Sequence, residues 1–122
     1  MVDLTARIAD VVAEAGAQTS GVAVVFVPGA TAAITTMENE PGNVFDLRAL
    51  LDRLVPPAGD YHHNRLNHDT SAHAHIRAAL VGPSESIPVE AGRLLLGTWQ
   101  QIVLVDFDDR PRERTVLVSV VC

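Results

Sequence analysis

The run LLLGTWQQIVLVDFD, residues 94–108, is long, apolar and rich in β-branched side chains, and its reading decides the fold class. A strand over 99–107 has no consistently polar side, which is more than a small sheet with one solvated face requires. Gly97 suggests a bulge or a close backbone approach inside the run. The same two-faced pattern recurs in GVAVVFVPG (21–29) and in TVLVSVVC (115–122). Either helices cover both faces of these strands, or another subunit covers one, and an oligomer is the expectation. DDRPRER (108–114) reads as a solvated hairpin turn between the last two strands, with no chemistry assigned to it.

Working outward, TAAITTME (31–38) is a further strand, expected as the hairpin partner of 21–29 across Pro28–Gly29. SIPVEAG (86–92) supplies a short strand and turn. Helical periodicity appears in three places. In DLTARIADVVAEAG (3–16), Leu4, Ile8, Val11, Val12 and Ala15 form one stripe, with Asp3 or Thr5 as cap and Gly16 as stop. Pro41–Gly42 is expected to break the chain before NVFDLRALLDRLVPP (43–57). There Asn43 is the expected N-cap, Leu47, Leu50, Leu51 and Leu54 the stripe, and Pro56–Pro57 the end. AHIRAALVGP (74–83) gives a short helix capped by Asp69 or Ser71 and closed by Gly82–Pro83. Separate helices mixed with antiparallel strands place the chain in the α+β class.

With 122 residues, 48% of them hydrophobic, the chain is expected to form a single domain over 1–122. All nine basic residues are arginine, and the net charge is −6. No nucleic-acid partner is expected, because phosphate backbones select for clustered positive charge. A single anion is different, since one local guanidinium suffices for it. Asp3, Arg7, Asp10 and Glu14 interrupt any leader-like apolar run, and no stretch reaches the ~20 apolar residues of a membrane helix. Cys122, the lone cysteine, has no internal partner. A soluble, cytoplasmic protein is the expectation.

All five histidines, His62, His63, His68, His73 and His75, fall in YHHNRLNHDTSAHAH (61–75). Imidazole binds metals and carries protons near neutral pH. His73 and His75 share a side if the backbone there is extended and diverge if it is helical. Two or three histidines plus the carboxylate of Asp69 would suit zinc or a similar divalent ion with an open position for water or substrate. The alternative is a polar loop in which the imidazoles are merely solvated. Spacing decides little, as no HExxH or CxxC pattern is present.

Three blocks resemble the YjbQ-like family of small proteins, whose members are often described as secondary thiamine-phosphate synthases. They are FVPGATAAITTMENEPG (26–42), with Glu38 at the end of its threonine-rich strand; YHHN…HD…HAHIRAALVGPS, in which Tyr61, His63, Asn64, Asp69, His75, Gly82 and Ser84 match recurring positions; and IPVEAGRLLLGTWQQIVLVDFD (87–108) with GTWQ at 97–100. The resemblance implies an α+β fold of antiparallel β-sandwich type with flanking helices. It also implies a homotrimer around a threefold axis and a polar, histidine-lined cleft where some members hold a metal. Two departures stand out. Many members carry histidine where this chain has Gly29, with His73 a possible substitute, and they usually begin with an additional strand before the first helix.

On this reading His63, His73 and His75 are the candidate metal ligands for a divalent ion such as zinc, and Glu38 and Asp69 the candidate catalytic carboxylates. Glu38 is as readily a solvated carboxylate of the MENEPGN turn, and Asp69 a helix cap. Arg77, Ser84, Thr98 and Gln100 are candidates to bind a small phosphorylated metabolite, while Arg77 reads equally as a solvated helix arginine. Trp99 could stack on a ring or belong to the core. The expected activity is metal-assisted small-molecule chemistry, with the family's joining of a pyrimidine pyrophosphate to a thiazole phosphate as one form. The alternative is a non-catalytic trimer that binds a metal or small ligand.

Overall fold

The computed structural model describes residues 1–122. In chain order the elements are β1 (Val2–Asp3), α1 (Thr5–Glu14), β2 (Gly21–Phe26), β3 (Ala32–Met37), α2 (Pro41–Leu54), α3 (His62–Asn67), α4 (Ala72–Val81), β4 (Ser84–Glu90), β5 (Arg93–Leu94), β6 (Gln101–Asp106) and β7 (Leu117–Val121). They build two antiparallel sheets, one ordered β1-β6-β3 and the other β5-β4-β2-β7. A short paired strand, Val2–Asp3, precedes the first helix and registers Val2 against Leu104.

The run 94–108 is two strands in different sheets. Leu94 ends β5, and residues 95–100 carry the chain across to β6. Gly97 therefore lies in a crossing loop and not in a strand bulge; its N–H donates to Gln100 Oε1 at 3.0 Å. Residues 107–116 cross back from β6 to β7, so DDRPRER is a sheet-to-sheet connection and not a hairpin turn. β2 and β3 likewise belong to opposite sheets: β2 pairs with β4 and β7, and β3 pairs with β6. The expected hairpin is replaced by an arch at 27–31 whose backbone finds partners elsewhere. Val27 N–H donates to Pro83 O at 2.9 Å, and Ile34 N–H to Gly82 O at 3.0 Å. Gly82 adopts φ +98, a backbone open to glycine at little cost, and so ends α4 where it can serve that arch.

Period-two alternation sorts the strands between layers. Ile34, Ile102 and Leu104 of the first sheet meet Ala23, Val25, Ile87 and Val89 of the second, and Ile8 and Val12 of α1, with Leu4 at its cap, close one side. Burying each of the larger side chains is worth about 1.5–3 kcal/mol. On the other face of β6, Val103 and Val105 are also buried, in the layer of α2 and α4. The first sheet thus has both faces covered. The second does not: Val22, Phe26, Leu117 and Val121 are 37–58% exposed.

Helix α2 begins earlier than expected. Pro41 occupies its first turn, where a missing N–H costs nothing, and Glu40 is the cap, its carboxylate accepting from Asn43 N–H. Asn43 Nδ2 donates to Glu38 O at 2.9 Å. Of the expected leucine stripe only Leu51 is buried, while Leu50 and Leu54 are exposed. Residues 62–67 were expected as loop and form α3, closed by His68 in the left-handed region at φ 51.

Candidate functional site

A polar cleft of about 370 Å³ opens where three connections meet: the arch before β3, the α3–α4 junction, and the crossing from β6 to β7. Thr31, Asp69, Ser71, His75, Arg110 and Arg114 are among its lining residues. The α3–α4 junction is organised by Asn64. Its Oδ1 accepts from the Ala72 N–H at 3.0 Å and lies 3.2 Å from His63 Nδ1. Since the Ala72 amide fixes Oδ1 as an acceptor, Nδ1 of His63 is the donor in that contact. The His63 ring stacks at 45° on His75, with centroids 4.7 Å apart. His75 faces the cleft, and His63 stands behind it.

Asp69 is the carboxylate of this junction. Hydrogen bonds from Thr70 N–H at 2.7 Å and Ser71 Oγ at 2.8 Å hold its carboxyl below the usual carboxylate range, with Arg110 and His63 adding to the effect. Ser71 is the residue before α4, yet its hydroxyl serves Asp69 and not the helix. Arg110 approaches Asp69 at 3.7 Å and is two-thirds exposed.

The opposite wall is a tighter network. Arg114 grips Asp106 with Nε at 2.9 Å and Nη2 at 3.0 Å, and Nη2 also donates to Thr31 Oγ1 at 2.7 Å. Thr31 Oγ1 in turn donates to Asp108 Oδ2 at 2.9 Å. Burial by itself would raise the Asp108 carboxyl, but the Arg110 N–H, Thr31 and Arg112 outweigh it and bring it down to about 2. Asp106 is lowered chiefly by its hydrogen bonds from Arg114. Gly29 belongs to the same construction, because a Cβ there would stand 2.9 Å from Arg114 Nη1.

The expected site residues fall into three groups. His63, His75 and Asp69 are brought together. His73 is not: it sits in α4, where residues two apart are turned by about 200°, and it is buried with Nδ1 unpartnered. It does not stand in for a side chain at position 29, since Gly29 lies beside His75 on the other side of the helix. Arg77 likewise does not line the cleft. Its guanidinium is buried on Val55 O, at 3.1 Å from Nε and 2.8 Å from Nη2, and on Asp52 at 3.0 Å, completing the C-terminal turn of α2.

Glu38, Thr98 and Gln100 form the third group, past the far end of β3. At roughly 3.3 Å per residue, that is about 20 Å from Thr31. Gln100 Nε2 donates to Thr36 Oγ1 at 3.1 Å and Trp99 is 73% exposed, so Trp99 is no core residue. Ser84 is exposed at the start of β4 and does not line the cleft. Thr31, Asp108, Arg110 and Arg114 were not singled out from sequence. For the charged residues the signal was there in DDRPRER, where three acidic and three basic side chains crowd around a stiffening Pro111.

With this geometry in view, likeness to other proteins becomes informative. The pattern of the family described as "UPF0047 protein YjbQ-like" matches residues 1–122. The chain belongs to the YjbQ-like family. A UPF0047 protein of Archaeoglobus fulgidus is 42% identical over 99 residues, which cover 81% of this chain and 76% of that one. The UPF0047 protein YugU of Bacillus subtilis is 36% identical over 121 residues, covering 98% and 87%. Among solved structures, an uncharacterized YjbQ/UPF0047 protein from Clostridium acetobutylicum superposes with a TM-score of 0.87 at 40% identity, covering 98% of this chain and 89% of that one. A hypothetical protein from Aeropyrum pernix gives 0.89 at 39% identity, covering 98% and 87%. The YjbQ-like blocks thus divide between the two ends of β3, with the histidine block at the cleft and GTWQ at the opposite end.

The donor chemistry of a divalent metal site is only partly met. His63, His75 and Asp69 are ligand types that zinc accepts, but nowhere in the chain do three His, Cys, Asp or Glu side chains gather closely enough to hold an ion. A three-ligand metal centre does not fit this arrangement. No helix is long and apolar enough to cross a membrane.

Proposed function

We propose that this YjbQ-like protein is an enzyme whose cleft receives a small monoanionic metabolite and moves a proton on it through His75. The observation that carries this reading is the His63–His75 ring pair, 4.7 Å apart between centroids, with His75 at the cleft and Asp69 alongside. An imidazole facing a polar cleft can give or take a proton near neutral pH. His63, fixed by Asn64 behind it, orients that ring.

Arg110 is the guanidinium freest to meet the anion, since Arg112 and Arg114 are committed to Asp108 and Asp106. That balance argues for one negative charge. The pyrophosphate-releasing union of a pyrimidine and a thiazole phosphate, which the family resemblance implies, asks for several free cations around the leaving group. Self-association belongs to the same reading: the open apolar face of the second sheet supports an oligomer such as the expected trimer, and light scattering on the purified chain tests it. Free Cys122 is in keeping with a cytoplasmic setting.

The test is a ¹H–¹⁵N titration with inorganic phosphate and acetate against wild type, His75→Ala and Arg110→Ala. Saturable shifts at Thr31, Asp69 and His75 that vanish in Arg110→Ala support the site; their absence, or their survival in both variants, refutes it. Elemental analysis of protein purified without added metal is the second arm. Near-stoichiometric zinc that is lost in a His63→Ala, His75→Ala double variant would replace the proton-transfer reading with a metal centre.

A further inference from the structure

A second hollow in the molecule is larger than the histidine cleft. A groove of about 550 Å³ runs between α1 and the strand ends of both sheets, within the range of about 300–1,000 Å³ usual for small-ligand sites. Its walls are aliphatic: Leu4 at the cap of α1 with Ile8 and Val11 inside it, Val2 and Leu104 from the first sheet, Val116 and Val118 from β7 and the segment before it. Val2 and Val11 are 47% and 40% exposed, so this apolar lining is left partly open to water.

The charge on the groove is the second observation. Arg7, Arg112 and Arg114 line it against a single carboxylate, Asp106, in a chain whose net charge is −6. Arg114 and Asp106 neutralise each other in a two-point grip. Arg112 uses only Nε on Asp108. Arg7 is exposed and takes part in no ion pair of the chain. An aliphatic trough with a free guanidinium and a partly free one is complementary to a molecule with a hydrocarbon body and one negatively charged head.

We propose that the groove between α1 and β7 is a binding site for an aliphatic carboxylate. The chain of the ligand lies on Ile8, Val11, Leu104 and Val118, and its head meets the Arg7 fork, whose paired N–H donors match the two oxygens of a carboxylate. The site is independent of the proposed proton-transfer cleft, which opens on the other side of the Arg112–Arg114 wall. Apolar burial supplies most of the affinity, and the guanidinium selects the charged head over a neutral one.

Calorimetric titration of the full chain with decanoate, kept below its micelle-forming concentration, and with decanol tests this. The expected result is saturable binding of decanoate at one per chain, with decanol and the Arg7→Ala variant each weaker by about tenfold or more, the loss of one charge-assisted hydrogen bond. Val11→Trp fills the groove and abolishes binding, whereas Phe26→Ser on the open face of the second sheet leaves it unchanged. Circular dichroism checks the fold of Val11→Trp. If that variant does not fold, Val2→Trp at a half-exposed position blocks the same groove. The proposal is overturned if decanoate does not saturate, if decanol binds as tightly, if a folded groove-filling variant still binds, or if Phe26→Ser alone abolishes binding.

Discussion

The two ends of β3 are held by different chemistry. At the Thr31 end, charge organises the backbone: Arg114, Asp106, Asp108, Arg112 and Thr31 form one connected network that joins the arch to the crossing strand. At the Met37 end the contacts are neutral, Gln100 to Thr36 and Asn39 N–H to Gln101 Oε1 at 2.7 Å. The first end encloses a cleft, while the second presents the exposed Trp99. The difference teaches that a charged network can both lock a sheet crossing and shape a site. Neutral loop contacts set a conformation beside a smaller hollow of about 250 Å³, lined by Thr36, Met37, Asn43 and Leu47 and without a charged side chain.

Breaking the charged end has the largest expected effect. Asp108→Ala removes a nearly buried carboxylate, leaves Thr31 and Arg112 without their acceptor and should cost about 2–3 kcal/mol, read by urea unfolding. Gln100→Ala at the neutral end removes an exposed pair and should cost less than about 1 kcal/mol in the same assay. Equal losses would erase the contrast.

Acid sharpens it further. The Asp108 carboxyl lies at about 2 in the fold against 3.8 ordinarily, and Asp69 and Asp106 are lowered too. The unfolded chain therefore binds these protons more readily. Their stabilisation is complete above roughly pH 5 and is lost as pH falls from about 4 towards 2. Asp108→Asn should flatten that part of the stability profile, read by thermal melts at stepped pH.

The smallest expected effect is the most diagnostic. Glu38→Gln should leave phosphate or acetate shifts at Asp69 and His75 unchanged, because about 20 Å of strand separates the two ends within one chain. A loss of those shifts would mean that Glu38 reaches a cleft it does not reach within its own chain.

Much of the fold was legible because it is written in local patterns. The stripe Leu4–Ile8–Val12 gave α1, the β-branched runs gave β2, β6 and β7, and Gly82 marked the end of α4. The two-faced strands announced layers on both sides, and the first sheet has them. The site was legible only in part. His63, His75 and Asp69 are close in sequence and meet in space across one helix junction. Glu38 and Asp69 looked alike as carboxylates near motifs, and Arg77 looked like a solvated arginine beside histidines, because side-chain direction on α4 depends on a helix that begins at Ala72.

What the sequence alone determined is the α+β class, the positions of most helices and strands, and the concentration of imidazole between residues 61 and 75. Those follow from periodicity and turn chemistry, which act over a few residues. Only the tertiary structure decided that the three helix-free connections 27–31, 95–100 and 107–116 cross between sheets, that DDRPRER walls the cleft, and that His73 faces inward while His75 faces out. Each of these depends on which distant strand accepts a given backbone edge, as Thr31 O accepts from Phe107 N–H at 2.9 Å, and no local pattern encodes that choice.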